Sequence, residues 1–298
     1  MKVLEVNNVF KQYSKNIALR NVSFTISEKE IVGFVGPNGA GKSTLMKIMV
    51  GLIPPTSGSV KVMGFDIKKQ REQALKKIGC TIESPYFYEY LTGKENLRII
   101  ANMYENISEE DILYASKRVG IDSNLHRKVR EYSLGMKQRL ALAQAIIMKP
   151  SFLILDEPTN GLDPKGIAEF REILKQINEE GCTIFISSHI LSEIENICEK
   201  VLFIDKGEIL TEKSLEDNID HIENYIIICS NAQEFLKLLK NKNYIKRCDI
   251  DDNKILIEIE KKRIKDVIKL SVLNNIDIFY ISEFKRNLED EFFELLER

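Results

Sequence analysis

The chain reads as an α/β protein built on a parallel sheet, interrupted by a helical insertion and followed by a small α+β domain. Three observations point there. Short runs rich in Val, Ile and Phe alternate with segments of helical spacing up to about residue 210. Residues 84–150 break that alternation and look mostly helical. Beyond Gly207 the pattern becomes β-α-β-β-α-β.

The apolar runs lie at 31–35, 78–82, 152–155, 183–187 and 201–205. Several are apolar on both faces, as strands covered by helices on each side require. Ile167, Phe170, Leu174 and Ile177 recur at helical spacing between two of them. The Pro- and Gly-bearing stretch 53–58 ends the first helix and marks a turn. In the insertion, Thr92 and Glu95 fit a capping box, and Leu97, Ile100, Ala101 and Tyr104 then line one helical face.

In the tail, 225–229, 244–250, 254–260 and 276–284 are strand-like. Ile255, Ile257 and Ile259 alternate with Glu258 and Glu260 at the strand period of two, and Asp251-Asp252-Asn253 supplies a turn. Phe235, Leu238 and Leu239 mark one helix, and Ile264, Val267, Ile268 and Val272 another. This order is the ferredoxin-like arrangement, and a last helix carries Leu288, Phe292 and Leu295. The expected division is 1–215, with a helical subdomain at about 84–150, and 216–298.

The 298 residues are too many for one minimal domain and about right for two. With 43 basic against 45 acidic residues the formal charge is −2, which argues against a nucleic-acid partner. Cys80, Cys182, Cys198, Cys229 and Cys248 form no CxxC pair and read as buried small hydrophobes in a reducing compartment. The start lacks a signal peptide's apolar core, and no apolar run approaches the roughly 18 residues of a membrane helix. If the protein works at a membrane, another chain does the spanning.

The strongest motif is Gly36-Pro-Asn-Gly-Ala-Gly41-Lys42-Ser43, which satisfies G-x-x-x-x-G-K-[ST] between a strand and a helix. Gly36, Asn38, Gly39 and Gly41 form a nest whose N–H groups face phosphates, and the helix start adds its positive end. Lys42 would reach the β- and γ-phosphates of ATP, Ser43 would hold Mg²⁺, and Thr44 would bond the α-phosphate. The strand 152–155 then ends in two acids, Asp156 and Glu157. Adjacent acids at a strand end need a cation or water. Asp156 fits the Mg²⁺ partner of Ser43, and Glu157 fits a base or orienter for the attacking water.

Three flanking segments narrow this phosphate-loop nucleotide hydrolase. Tyr132-Ser-Leu-Gly-Met-Lys-Gln-Arg139 precedes the acid strand, Gly161-Leu-Asp163-Pro follows it, and Ser187-Ser-His189 closes the next strand. The set and its order resemble the ATP-binding subunits of ABC transporters over residues 1 to about 215. The resemblance implies a RecA-like core that hydrolyses ATP. It implies that Tyr13 stacks on adenine and that Ser133 and Gly135 contact the γ-phosphate held by a second copy. Asp163 would communicate across that dimer, and His189 would hold the γ-phosphate and the attacking water. It also implies an integral membrane permease as partner, with this chain peripheral on the cytoplasmic face.

Two departures from the family pattern stand out. The signature usually reads Leu-Ser-Gly-Gly-Gln, whereas Leu134 replaces its first Gly and Met136 its Gln. Glu83, in Thr81-Ile-Glu83-Ser, stands where a glutamine is usual. Together they resemble the subfamily that exports bacitracin or confers lantibiotic self-protection, and they make Glu83 a candidate metal ligand. Just beyond it, Pro85, Tyr86, Phe87, Tyr88 and Tyr90 crowd into six positions. That cluster suits either a surface receiving a short helix of the membrane partner or a local mini-core. Export of a drug, polysaccharide or ion remains open, because the ATPase half rarely touches cargo. A ribosome- or DNA-directed member of the family would carry tandem cassettes or a long coiled-coil insertion, and the sequence has neither.

Overall fold

A computed structural model of the chain describes residues 1–83, 85–104, 107–215, 222–251, 254–284, 288 and 292. The chain forms two compact units, Met1–Leu215 and Glu216–Arg298.

The first unit opens with two long strands, β1 (Lys2–Tyr13) and β2 (Asn16–Ser27), and then β3 (Ile31–Val35), α1 (Lys42–Met49), β4 (Ser57–Val62), β5 (Phe65–Asp66), α2 (Arg71–Leu75) and β6 (Ile78–Thr81). The insertion supplies α3 (Gly93–Ala101), α4 (Glu109–Arg118) and α5 (Leu134–Ile146). The core resumes with β7 (Phe152–Asp156), α6 (Pro164–Glu179), β8 (Thr183–Ser188), α7 (Leu191–Glu195), β9 (Lys200–Asp205) and β10 (Glu208–Ser214). Two sheets result, ordered β2-β1-β4-β5 and β10-β9-β3-β8-β7-β6. In the second, β9, β3, β8, β7 and β6 are mutually parallel, and β10 closes one edge antiparallel.

The strands β3, β7 and β8 are buried at every position, which explains their unbroken apolar runs. Helix α1 supplies Leu45, Met46, Ile48 and Met49 to a core shared with Phe34, Phe152 and Phe185 of the parallel sheet and with Val6 and Val60 of the other. At about 25 cal/mol per Å² of apolar surface, this burial is the main force holding the phosphate-loop helix against the sheet. Helix α3 starts from the capping box expected of Thr92 and Glu95, with Leu97 and Ala101 on its buried face. Tyr104 is exposed instead of completing that face.

Two further corrections concern the first unit. The antiparallel pair β1–β2 has no counterpart among the sequence-predicted strands. Register shifts break the alternation of β1, whereas β2 keeps period two at Val22, Phe24 and Ile26 and is open to that reading. Cys80 is exposed rather than buried, because β6 is an edge strand. Cys182, Cys198, Cys229 and Cys248 are buried, and burial pushes the Cys182 thiol up to about 12.

The second unit contains β11 (Ile222–Cys229), α8 (Ala232–Lys240), β12 (Ile245–Asp251), β13 (Lys254–Glu260), α9 (Ile264–Leu273) and β14 (Ile278–Phe284). Its sheet is antiparallel throughout, in the order β12-β13-β11-β14, as a ferredoxin-like fold requires. Ile227, Ile255, Ile257 and Ile259 face Phe235, Leu239 and Val267 in one core. On α9 the buried positions are Val267 and Ser271, whereas Ile268 and Val272 are exposed, contrary to the helical face read from the sequence. Leu288 and Phe292 are buried, while Leu295 and the 252–253 turn lie outside the described residues.

Candidate functional site

Parallel neighbours bring the C-terminal ends of β3, β8 and β7 side by side, with β6 next in line. In such sheets the ligand crevice lies at those ends. The phosphate-loop motif follows β3, the acid pair ends β7, and His189 follows β8, so three separate sequence segments converge by topology alone.

The loop 36–41 turns sharply into α1. Gly41 has φ +108°, and a Cβ there would lie 2.7 Å from the Ala18 carbonyl oxygen and 2.9 Å from Leu19. Only glycine fits that close approach. Lys42, 6% exposed, donates from Nζ to the carbonyl oxygens of Gly36 (2.6 Å) and Pro37 (3.3 Å). Its ammonium also lies 3.8 Å from Glu157 Oε1. Burial pulls the Lys42 pKa down, and the carboxylates of Glu157 and Asp156 oppose that shift. Ser43 and Thr44 are half-buried on the first turn of α1, while Asn38 and Gly39 are exposed at the loop tip.

Asp156 is buried and pairs with Ser187 in the β7–β8 register. The Ser187 hydroxyl donates to Asp156 Oδ1 at 2.6 Å and accepts from the Glu157 N–H at 2.9 Å. One serine therefore orders both acids, leaving the second Asp156 oxygen available. Glu157 stands in a left-handed conformation, φ 46°, which costs a non-glycine residue about 1–2 kcal/mol. Its carboxylate meets His189, whose Nδ1 is 3.0 Å from Oε2, and Asn160 Nδ2 donates to the same oxygen. Asn160, Thr159 and Glu193 were not among the residues singled out from the sequence.

The donor set fits the groups the motif implies. An Asp156 carboxylate beside the Ser43 turn offers oxygen ligands suited to a hard divalent cation that keeps water and phosphate in its shell. Among the described residues no group of three or more His, Cys, Asp or Glu gathers to hold a metal unaided.

The remaining sequence candidates make contacts of their own. Tyr13 is 46% exposed, with Lys11 Nζ 4.7 Å from its ring centre. Ser133 is the exposed N-cap of α5, where its hydroxyl accepts from the Met136 N–H at 3.3 Å. Gly135 is half-buried in the first turn. Asp163 is exposed and caps α6 by accepting from the Gly166 N–H at 2.8 Å. Leu134 leans on the next loop: a Cβ on Gly161, where φ is +76°, would stand 2.4 Å from Leu134 Cδ2. Glu83, also left-handed at φ 65°, is 60% exposed and pairs with Lys47 of α1. That bond, followed by the fields of Glu83, Tyr13 and Asp156, holds the Lys47 pKa above its usual value.

The aromatic segment after Glu83 is a surface, not a mini-core. Tyr86, Tyr88 and Tyr90 are 93%, 53% and 65% exposed. Its backbone is nonetheless fixed: buried Asn96 exchanges hydrogen bonds with Tyr88 N–H (2.9 Å) and C=O (3.1 Å). Glu89 ties it to α5 through Lys137 at 2.7 Å.

Known proteins match this arrangement. Residues 19–160 match the ABC transporter family. The chain is 40% identical over 291 residues to the Bacillus subtilis (strain 168) ABC transporter ATP-binding protein YdbJ, covering 97% of this chain and 94% of the relative. It is 36% identical to the bacitracin transport ATP-binding protein BcrA of Enterococcus faecalis, covering 99% and 96% respectively. With the lantibiotic transport ATP-binding protein SrtF of Streptococcus pyogenes it shares 43% identity, over 76% of this chain and 98% of the relative. A dimeric ATP-binding cassette in a post-hydrolysis state with ADP and Pi superposes with TM-score 0.66 at 28% identity, over 72% of this chain and all of that one. The chain belongs to the ATP-hydrolysing, ATP-binding subunits of ABC transporters.

Proposed function

We propose that this chain powers a separate membrane permease that exports an antimicrobial peptide of the bacitracin or lantibiotic type. The family assignment supports the ATPase and the permease. The names of BcrA and SrtF support the cargo class. No helix among the described residues is long and apolar enough to cross a membrane. In this reading the chain works as a homodimer and attaches to the cytoplasmic face through its permease.

The contact set of Glu157 carries the mechanistic reading. One carboxylate reaches Lys42 at 3.8 Å and His189 at 3.0 Å. Lys42 leaves its own loop carbonyls to meet the β- and γ-phosphates of ATP. Ser43 and Asp156 would hold Mg²⁺, which shields phosphate charge as the terminal phosphoryl group leaves. Glu157 accepts a proton from the attacking water as its oxygen bonds to the γ-phosphorus. The bond from that phosphorus to the β–γ bridging oxygen breaks, and ADP leaves with phosphate. His189 steadies the γ-phosphate and the water. Ser133, Gly135 and Asp163 would serve the nucleotide of the second copy, and Tyr13 would stack on adenine. The aromatic surface at 86–90 receives the permease, and the Glu89–Lys137 bridge passes its position to the signature helix.

A strain lacking this chain, tested against bacitracin and a lantibiotic panel, should lose resistance to at least one peptide. Resistance unchanged throughout, with the purified chain hydrolysing ATP, would assign another cargo.

A further inference from the structure

We propose that Glu193 is a positioning residue for hydrolysis, fixing Glu157 and His189 relative to each other from behind. It sits on the short helix α7 and touches neither. Its Oε2 accepts from Thr159 Oγ1 at 2.5 Å and lies 3.4 Å from Ser188 Oγ. Thr159 stands two residues after Glu157, and Ser188 one residue before His189. One oxygen therefore holds together the two turns that carry the hydrolytic pair.

Its surroundings argue against a purely structural part. Glu193 Oε1 is buried with no hydrogen-bond partner, an arrangement that destabilises a fold. An apolar side chain of similar size would fill the space at less penalty. The carboxylate's return is the short bond to Thr159, and hydroxyl bonds to a charged oxygen are the strong ones. The single Ser188 hydroxyl hydrogen is shared between Glu193 Oε2 and the Ile190 carbonyl oxygen at 3.3 Å, and the same hydroxyl accepts from the Ile190 N–H at 2.9 Å, which stiffens the turn at His189. Loosening this clamp lets the Glu157–His189 distance wander, and misplacement by an ångström costs up to about 10²-fold in rate.

The inference rests on Glu157 and His189 as the hydrolytic pair, so Glu157→Gln is run beside the clamp variants. The experiment measures kcat and KM for ATP, with a thermal melt, on the full chain. Glu193→Leu should lower kcat about tenfold, leave KM within about twofold, and melt no lower than wild type. Thr159→Val should reproduce that loss, and Thr159→Ser, which restores the hydroxyl, should return kcat to within about twofold of wild type. The double variant should be no slower than the slower single one. Wild-type kcat in Glu193→Leu and Thr159→Val, or losses that multiply in the double variant, would overturn the clamp while leaving the pair intact. If Glu193→Leu fails to fold, the Val and Ser forms of residue 159 decide alone. Full turnover in Glu157→Gln would overturn pair and clamp together.

Discussion

The ends of β7 and β6 make a natural pair. Both strands run parallel in one sheet, both are followed by a glutamate in the left-handed conformation, and both acids face a lysine of the phosphate-loop helix. Their surroundings differ. Glu157 is 23% exposed, flanked by a buried Asp156 and held by Asn160 and His189. Glu83 is 60% exposed and held by Lys47 alone among the described contacts. Backbone strain at a strand end therefore occurs in two quite different surroundings. What separates the two is the number of partners that over-determine the side chain, which is also what allows strain to persist.

That contrast can be broken by substitution. The largest effect is expected at the β7 end: Glu157→Gln should bind ATP yet turn over about 10²-fold or more slower, and should accumulate as an ATP-bound dimer on size exclusion. Lys42→Ala should weaken ATP binding itself by about tenfold or more, read as the Kd for a fluorescent ATP analogue. At the β6 end, Glu83→Gln should keep turnover within about tenfold while raising the Mg²⁺ concentration for half-maximal rate. Lys47→Met, which frees the Glu83 carboxylate, should lower that concentration. Identical Mg²⁺ curves for wild type and both variants would make Glu83 a surface residue and nothing more. Either β6-end change should alter stability by no more than about 1 kcal/mol in a denaturant melt, as expected of an exposed ion pair. The smallest effect belongs to removing 216–298. Both strand ends lie in the first unit, whose last strand pairs through Ser214 to Lys200, so a fragment ending at Leu215 should keep its ATP affinity within about twofold.

Sequence patterning recovers this molecule unevenly, and the reasons are physical. Phe152–Asp156 reads as a strand because burial on both faces leaves an unbroken apolar run. The phosphate loop is plain because close backbone approach at Gly41 demands glycine at a set spacing. β1 escapes because its register shifts between Val6 and Val9 and again before Lys11. Cys80 misleads because apolar character says nothing about edge position. Glu193 leaves no trace in spacing, since its partner Thr159 lies 34 residues away and hydroxyl–carboxylate pairing imposes no period.

The contact between Leu134 and Gly161 shows what the loop before Asp163 tolerates. A Cβ at 161 would meet only the tip of an exposed leucine, which can rotate aside, so the left-handed backbone at φ +76° and not the contact sets the penalty there. Asparagine, which tolerates that backbone, is therefore admissible at 161 with Leu134 in place, whereas a β-branched residue is not. The loop is selective for backbone conformation and permissive for bulk.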